Sequence, residues 1–228
     1  MKQAPSSERH LNQRRNGHIL VWELMGAVWI LVAGSFLHFA FAWSGHWRPI
    51  AAFVPVNESV WEHLKLLFWP GLFFALLEWR FIPVDLRQFV TAKCLSLTAM
   101  PVVLITLFYT YTAILTDNYL ALDLLSFMVA IAAGQWISYS LLTRPSEARS
   151  SCMPGLVGMA FFLIAFPLFT FAPPHISLFE HKETGLYGIP TNRWPLNTTP
   201  TGLQGPGSTP MTCEALFHTP PGNLARYP

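Results

Sequence analysis

Five stretches of this chain are long and apolar enough to cross the roughly 30 Å hydrocarbon layer of a bilayer, which takes about 20 helical residues each. They fall near residues 19–43, 59–80, 90–115, 119–142 and 153–173. Within hydrocarbon a backbone must satisfy its own hydrogen bonds, so each stretch reads as a helix. The expected fold is all-α and polytopic, with five transmembrane helices. Pro70, Pro101 and Pro167 lie inside spans, where neighbouring helices can resatisfy the freed carbonyls. Lys93 stands near the start of the third span, close enough to its end to snorkel.

Composition agrees. Hydrophobic residues make up 52% of the 228 and charged residues 11%, against roughly 25% charged in a soluble domain. A soluble core of this size would need a far more polar shell. The net charge of +2, with no basic run beyond Arg14-Arg15, argues against nucleic acid as a partner. Cys94, Cys152 and Cys213 are widely spaced and form no CxxC, so a zinc ribbon is unsupported, and the first two suit packing roles. The apolar run after the polar Met1–Gly17 segment is too long for a signal peptide and reads as an uncleaved first helix.

Basic residues orient the spans. Lys2, Arg9, Arg14 and Arg15 precede the first. Arg80, Arg87 and Lys93 lie between the second and third, and Arg144 and Arg149 between the fourth and fifth. The opposite side carries Arg48, Lys182 and Arg193. The N-terminus is expected in the cytoplasm and the C-terminus outside, with Trp43, Trp47, Trp61 and Tyr119 at the outer interface. Three regions follow: a polar cytoplasmic segment, 1–18; a membrane domain, 19–189; and a Pro/Gly/Thr-rich tail, 190–228, too poor in large aliphatics to offset its ordering entropy and therefore read as disordered. Asn197-Thr198-Thr199 and Asn57-Glu58-Ser59 match a glycosylation acceptor, the second too near the bilayer for use.

The stretch PVNESVWEHLK, Pro55 to Lys65, puts two carboxylates, an imidazole and an amine at the mouth of the apolar second span. Part of this is helix chemistry. Ser59 and Glu62 fit a capping box, Asn57 competes as the cap, and carboxylates in a first turn suit the helix dipole. On an ideal helix Glu58, Glu62 and Lys65 fall within about 60° on one face, with His63 about 100° round from Glu62. Glu62 and Lys65 can pair at i,i+3. Ionisable groups in a membrane tend to face a bundle interior or a water cavity. In the first span Glu23, Ala27, Ile30, Gly34 and His38 share a face, and Gly34 and Ser35 permit close helix approach. Glu23 lies near the cytoplasmic end, about 22 Å from His38, so the two cannot share one site, and the plain reading of Glu23 is that it reaches the interface. Asp123 needs a buried partner, such as Lys65 or His38. The same outer side gathers His46, Tyr109, Thr110, Tyr111, Asp117, His175, Glu180 and His181.

The runs GSFLHFAFAWSG, FVPVNESVWEHLKLLFWP and LFEHKETGLYGI resemble a family of small multi-pass bacterial membrane proteins known as a domain of unknown function, over residues 19–189. That resemblance implies a helical membrane domain and makes Glu23, His38, Asn57, Glu58, Glu62, His63, Lys65 and Asp123 the candidates. A fainter similarity links Asn57-Glu58…His63, Ser35/His38 and Asp123 to the alkaline ceramidase and adiponectin-receptor-like superfamily, seven-span hydrolases that hold zinc on histidines. This chain has five spans and lacks that superfamily's paired histidines in the last one.

The expected function is a multi-pass protein of the bacterial cytoplasmic membrane, embedded in the lipid bilayer, with an outward polar pocket for a small ligand or ion. Asn57, Glu58, Glu62, His63, Lys65, His38 and Asp123 would line it. His38, His63 and Asp123 are candidate metal ligands, with zinc the candidate ion, although no HExxH is present. Two alternatives are a metal-dependent intramembrane hydrolase and a structural or partner subunit.

Overall fold

A computed structural model describes residues 6–144, 153–181 and 184–189. Five helices form: α1 (Ser6–Trp43), α2 (Val60–Glu78), α3 (Leu86–Leu115), α4 (Leu120–Leu142) and α5 (Met153–Phe171). Each is long and apolar enough to cross a membrane. Short 3-10 turns occupy Arg48–Ala52 and Ser177–Phe179, and among the described residues the only β pairing is the isolated bridge Glu180–Tyr187. The tail expected to be disordered, with Asn197, lies outside the described residues, as do Arg149, Cys152, Lys182, Arg193 and Cys213.

Helix ends depart from the apolar runs where capping and propagation outweigh hydropathy. α1 starts at Ser6, twelve residues or so ahead of the apolar stretch, because an existing ladder extends cheaply through residues that tolerate helix. α3 starts at Leu86, where the Asp85 side chain accepts from the Arg87 amide (3.0 Å), so its polar first turn belongs to the helix.

The helices alternate in direction. Trp29 Nε1 donates to the Pro70 carbonyl (3.1 Å), and Gly26 and Gly34 pack on Phe74 and Leu66, so α1 and α2 run antiparallel. Gln88 Nε2 reaches the Leu141 carbonyl (2.8 Å), which sets α3 against α4. Gly155 and Gly158 lie on Cys94 and Thr98, a parallel α3–α5 register. α2 is the central helix: 72% of its span is buried, against 28% or less for α1, α4 and α5. Trp61, Phe68, Phe162 and Phe166 interlock there. Val28, Phe36, Leu120, Trp136 and Ile164 point outward, an apolar exterior suited to lipid.

Pro70 explains one close approach. Its missing N–H leaves the Leu66 carbonyl without an intrahelical partner. Gly34 packs against that oxygen so tightly that a Cβ there would lie 2.8 Å from it. The small residue in the α1 stripe thus covers the acceptor that the proline frees.

Candidate functional site

The entrance to α2 is assembled by two sets of polar groups facing different ways. The first is a buried clasp. The chain leaves α1 through Gly45 and His46, both left-handed, and its 3-10 turn carries Ala51 into the interior beside Phe41, Val54 and Val56. Lys65, fully buried, donates to the carbonyls of Ala51 (2.8 Å) and Val54 (3.3 Å), to Glu62 Oε2 (2.6 Å) and to the Thr170 hydroxyl of α5. Glu62 Oε2 also accepts from the Val56 amide (3.0 Å), and Oε1 accepts from Thr170 (3.2 Å). The expected capping box is half formed. Ser59 Oγ accepts from the Glu62 amide (3.4 Å), but the Glu62 carboxylate goes to Val56, and the Ser59 amide donates to Asn57 Oδ1 (2.9 Å) instead. Asn57 Nδ2 donates to the Gly188 carbonyl (2.9 Å) and ties the segment after α5 onto the entrance. Glu62, Lys65 and Asn57 therefore spend their polar atoms on holding loop, α2 and α5 together.

The second set faces away from the clasp. Glu58 precedes the N-cap Ser59, so ideal helical spacing does not reach it, and it turns from Glu62 and Lys65 towards the histidines. Glu58 Oε2 lies 3.3 Å from His63 Nε2, and Oε1 lies 3.8 Å from His38 Nε2. The two imidazoles stand 5.3 Å apart between centroids. His63 Nδ1 is 2.8 Å from the Ser59 carbonyl. A carbonyl can only accept, so Nδ1 carries the hydrogen and Nε2 is the atom turned on the carboxylate. His38 Nδ1 is buried without a hydrogen-bond partner. When the ring is protonated on both nitrogens, the hydrogen bond from His63 Nε2 holds the Glu58 carboxyl below its ordinary range, with burial pulling the other way.

One ligand atom from each of His38, Glu58 and His63 lies within 4.8 Å of the others. Two ligands about 2.1 Å from a tetrahedral ion stand about 3.4 Å apart, so a small contraction would close the set on a metal. The Nδ1–carbonyl bond of His63 is the outer support that fixes a metal-binding imidazole in its tautomer.

Asp123 has a different partner from either of those expected. It sits in the first turn of α4 and accepts from the Tyr111 hydroxyl of α3, which also reaches Asn118 Oδ1 (2.8 Å). The short α3–α4 connection puts that tyrosine against the turn, and the donors of Lys65 are already committed to the clasp. Asp123 is not one of the three clustered ligands, although its charge is felt at His63. His181, beyond α5, is near enough to act electrostatically on Glu58 and keeps a buried Nδ1 without a partner.

A third polar cluster occupies the opposite end of the bundle. Lys93 does not snorkel. It is buried, with Nζ 2.8 Å from Glu23 Oε1 and in contact with Glu78 Oε2. Ser138 Oγ donates to Glu23 Oε1 (2.6 Å), and Gln135 Nε2 donates to the Glu23 carbonyl (2.9 Å). Glu23 thus faces the bundle rather than the interface. Thr170, Glu78 and Ser138 were missed from sequence. Glu78 alone carried a signal, as the one acid within the apolar run FFALLEW.

Neither a curated protein nor a solved structure matches the chain. A family model does match, over residues 11–189, which takes in α2 to α5, all of α1 but its first five residues, both 3-10 turns and every residue of the three polar clusters. By that match the chain belongs to DUF6512, a family of unknown function.

Proposed function

We propose that this membrane protein binds a divalent transition-metal ion on His38, Glu58 and His63, zinc being the first candidate, and presents that ion to a small ligand. The carrying observation is the convergence of three ligand atoms from α1, the loop and α2, one of them oriented by the Ser59 carbonyl. With Nδ1 protonated, His63 faces a carboxylate with a lone pair unless a proton or a cation stands between them, and a metal ion satisfies all three groups at once. The basic-residue bias supports a bacterial cytoplasmic membrane orientation with the N-terminus inside and this site outside.

Metal analysis of the detergent-purified protein tests the reading. The wild type should carry near-stoichiometric zinc or a related ion, and His63→Ala and Glu58→Gln should lose it. A metal-free wild type, or metal retained in both variants, would refute it. A second reading has one observation in its favour. A His–His–Glu donor set whose carboxylate is half exposed leaves a coordination position for water, the arrangement of a metal-dependent hydrolase. Hydrolysis of lipid esters or amides that requires the metal and disappears with His63→Ala would support it.

A further inference from the structure

The cluster at the other end of the bundle has an uneven charge count. Glu23, Glu78 and Lys93 are exposed by 2%, 0% and 6%. They come from α1, α2 and α3, and α4 adds only the neutral Ser138 and Gln135. The Phe89 ring lies 5.7 Å from Lys93 Nζ. Two ionised carboxylates and one ammonium leave a net negative charge inside an apolar bundle, where an uncompensated charge is strongly unfavourable. One further positive charge, or one proton, restores neutrality.

Hydrogen bonding indicates which carboxylate takes it. Glu23 Oε1 is anchored by two donors, Ser138 and Lys93. Glu78 Oε2 lies 2.5 Å from Lys93 Nζ, an ion-pair contact, but neither of its oxygens has a second donor although the side chain is wholly buried. Glu23 Oε2 is also unpaired. The arrangement therefore offers an ammonium, an anchored carboxylate, and a second carboxyl with nothing holding it ionised except that shared ammonium.

We propose that the Glu23–Glu78–Lys93 cluster is an intramembrane proton-binding site, with the proton on Glu78. The site takes up one proton from the side of the membrane on which α1 begins. Releasing it leaves a buried negative charge, so the folded bundle is less stable in the released form. The sign follows from linkage. Between the ordinary carboxylate range and the pH at which the site lets its proton go, the folded protein holds one proton more than the unfolded chain, so stability falls as pH rises through that window and levels off above it.

The test is infrared spectroscopy of the protein in liposomes, alongside thermal unfolding in detergent. At about pH 6 the wild type should show a protonated-carboxyl C=O band that shifts in D2O and is missing in Glu78→Gln but retained in Asp123→Asn. The wild-type midpoint should fall by several degrees between about pH 5 and about pH 8, while Glu78→Gln, an isostere of the protonated acid, should fold and stay nearly flat. Absence of the band from the wild type, or its survival in Glu78→Gln, would overturn the proposal. So would a sodium-specific rise in the wild-type midpoint, relative to choline, that vanishes in Glu78→Gln, because the neutralising occupant would then be a metal cation.

Discussion

Lys65 and His63 stand two residues apart and have opposite characters. Lys65 is enclosed by four oxygens and is a structural strut, whereas His63 has one nitrogen anchored and the other presented. Lys65→Met should cost about 3–5 kcal/mol, because it strands the buried Glu62 carboxylate, and adding Glu62→Gln should recover much of that loss in thermal unfolding. The charge-swapped pair Glu62→Lys/Lys65→Glu should not recover it. The carbonyls of Ala51 and Val54 would then face a carboxylate rather than an ammonium. Glu58 gives a pH signature. In the metal-free protein its folded-state pKa is lowered by the hydrogen bond from protonated His63, so its contribution is present above the ordinary carboxylate value and is lost as pH falls through the lowered one. The stability gap between wild type and Glu58→Gln should therefore narrow between about pH 5 and about pH 3. A gap that widened on acidification would contradict the His63–Glu58 bond. The sequence shows that these residues are polar and close together. Their division into clasp and site depends on where the chain leaves helical geometry, at Ser59, and on a loop that brings backbone carbonyls to Lys65.

At the scale of elements, hydropathy alone locates all five spans, because length and apolarity are what crossing demands. It misplaces ends where a cap or a propagating ladder decides, as at Asp85 and Ser6. The stripe Glu23–Ala27–Ile30–Gly34–His38 does face the bundle, as helical periodicity requires. What α1 meets there was not legible, since it depends on helix rotation: α2 at Gly34, α3 and α4 at Glu23. The contact of Gly34 with Leu66 makes a prediction. Gly34→Ala pushes a methyl onto a backbone oxygen and should destabilise the protein by about 1–3 kcal/mol, or shift α1 along α2. Gly17→Ala, with open space around its Cβ, should be neutral or stabilising by up to about 1 kcal/mol. Comparable losses for both variants would mean that Gly34 is not a contact point.

At the scale of the molecule, antiparallel packing gathers ionisable side chains at two ends and leaves the middle of every helix without them. His38, Glu58, Glu62, His63, Lys65, Tyr111 and Asp123 share one end, and Glu23, Glu78 and Lys93 the other. Single cysteines at Thr116 and Arg80 should react with an impermeant thiol reagent from opposite faces of oriented vesicles, Thr116 from the outside. Labelling of both from one face would break the topology. Between the ends, residues 24–37 of α1, 66–77 of α2, 94–108 of α3 and 124–137 of α4 contain no acid, base or histidine. In electrical terms that layer is a dielectric. A membrane voltage drops across it, and about 2.3 kcal/mol separates a unit charge on one side from the same charge on the other for each 100 mV. No acid, base or histidine in these stretches carries a fixed charge within that layer, so the two charged ends behave as the plates of a capacitor.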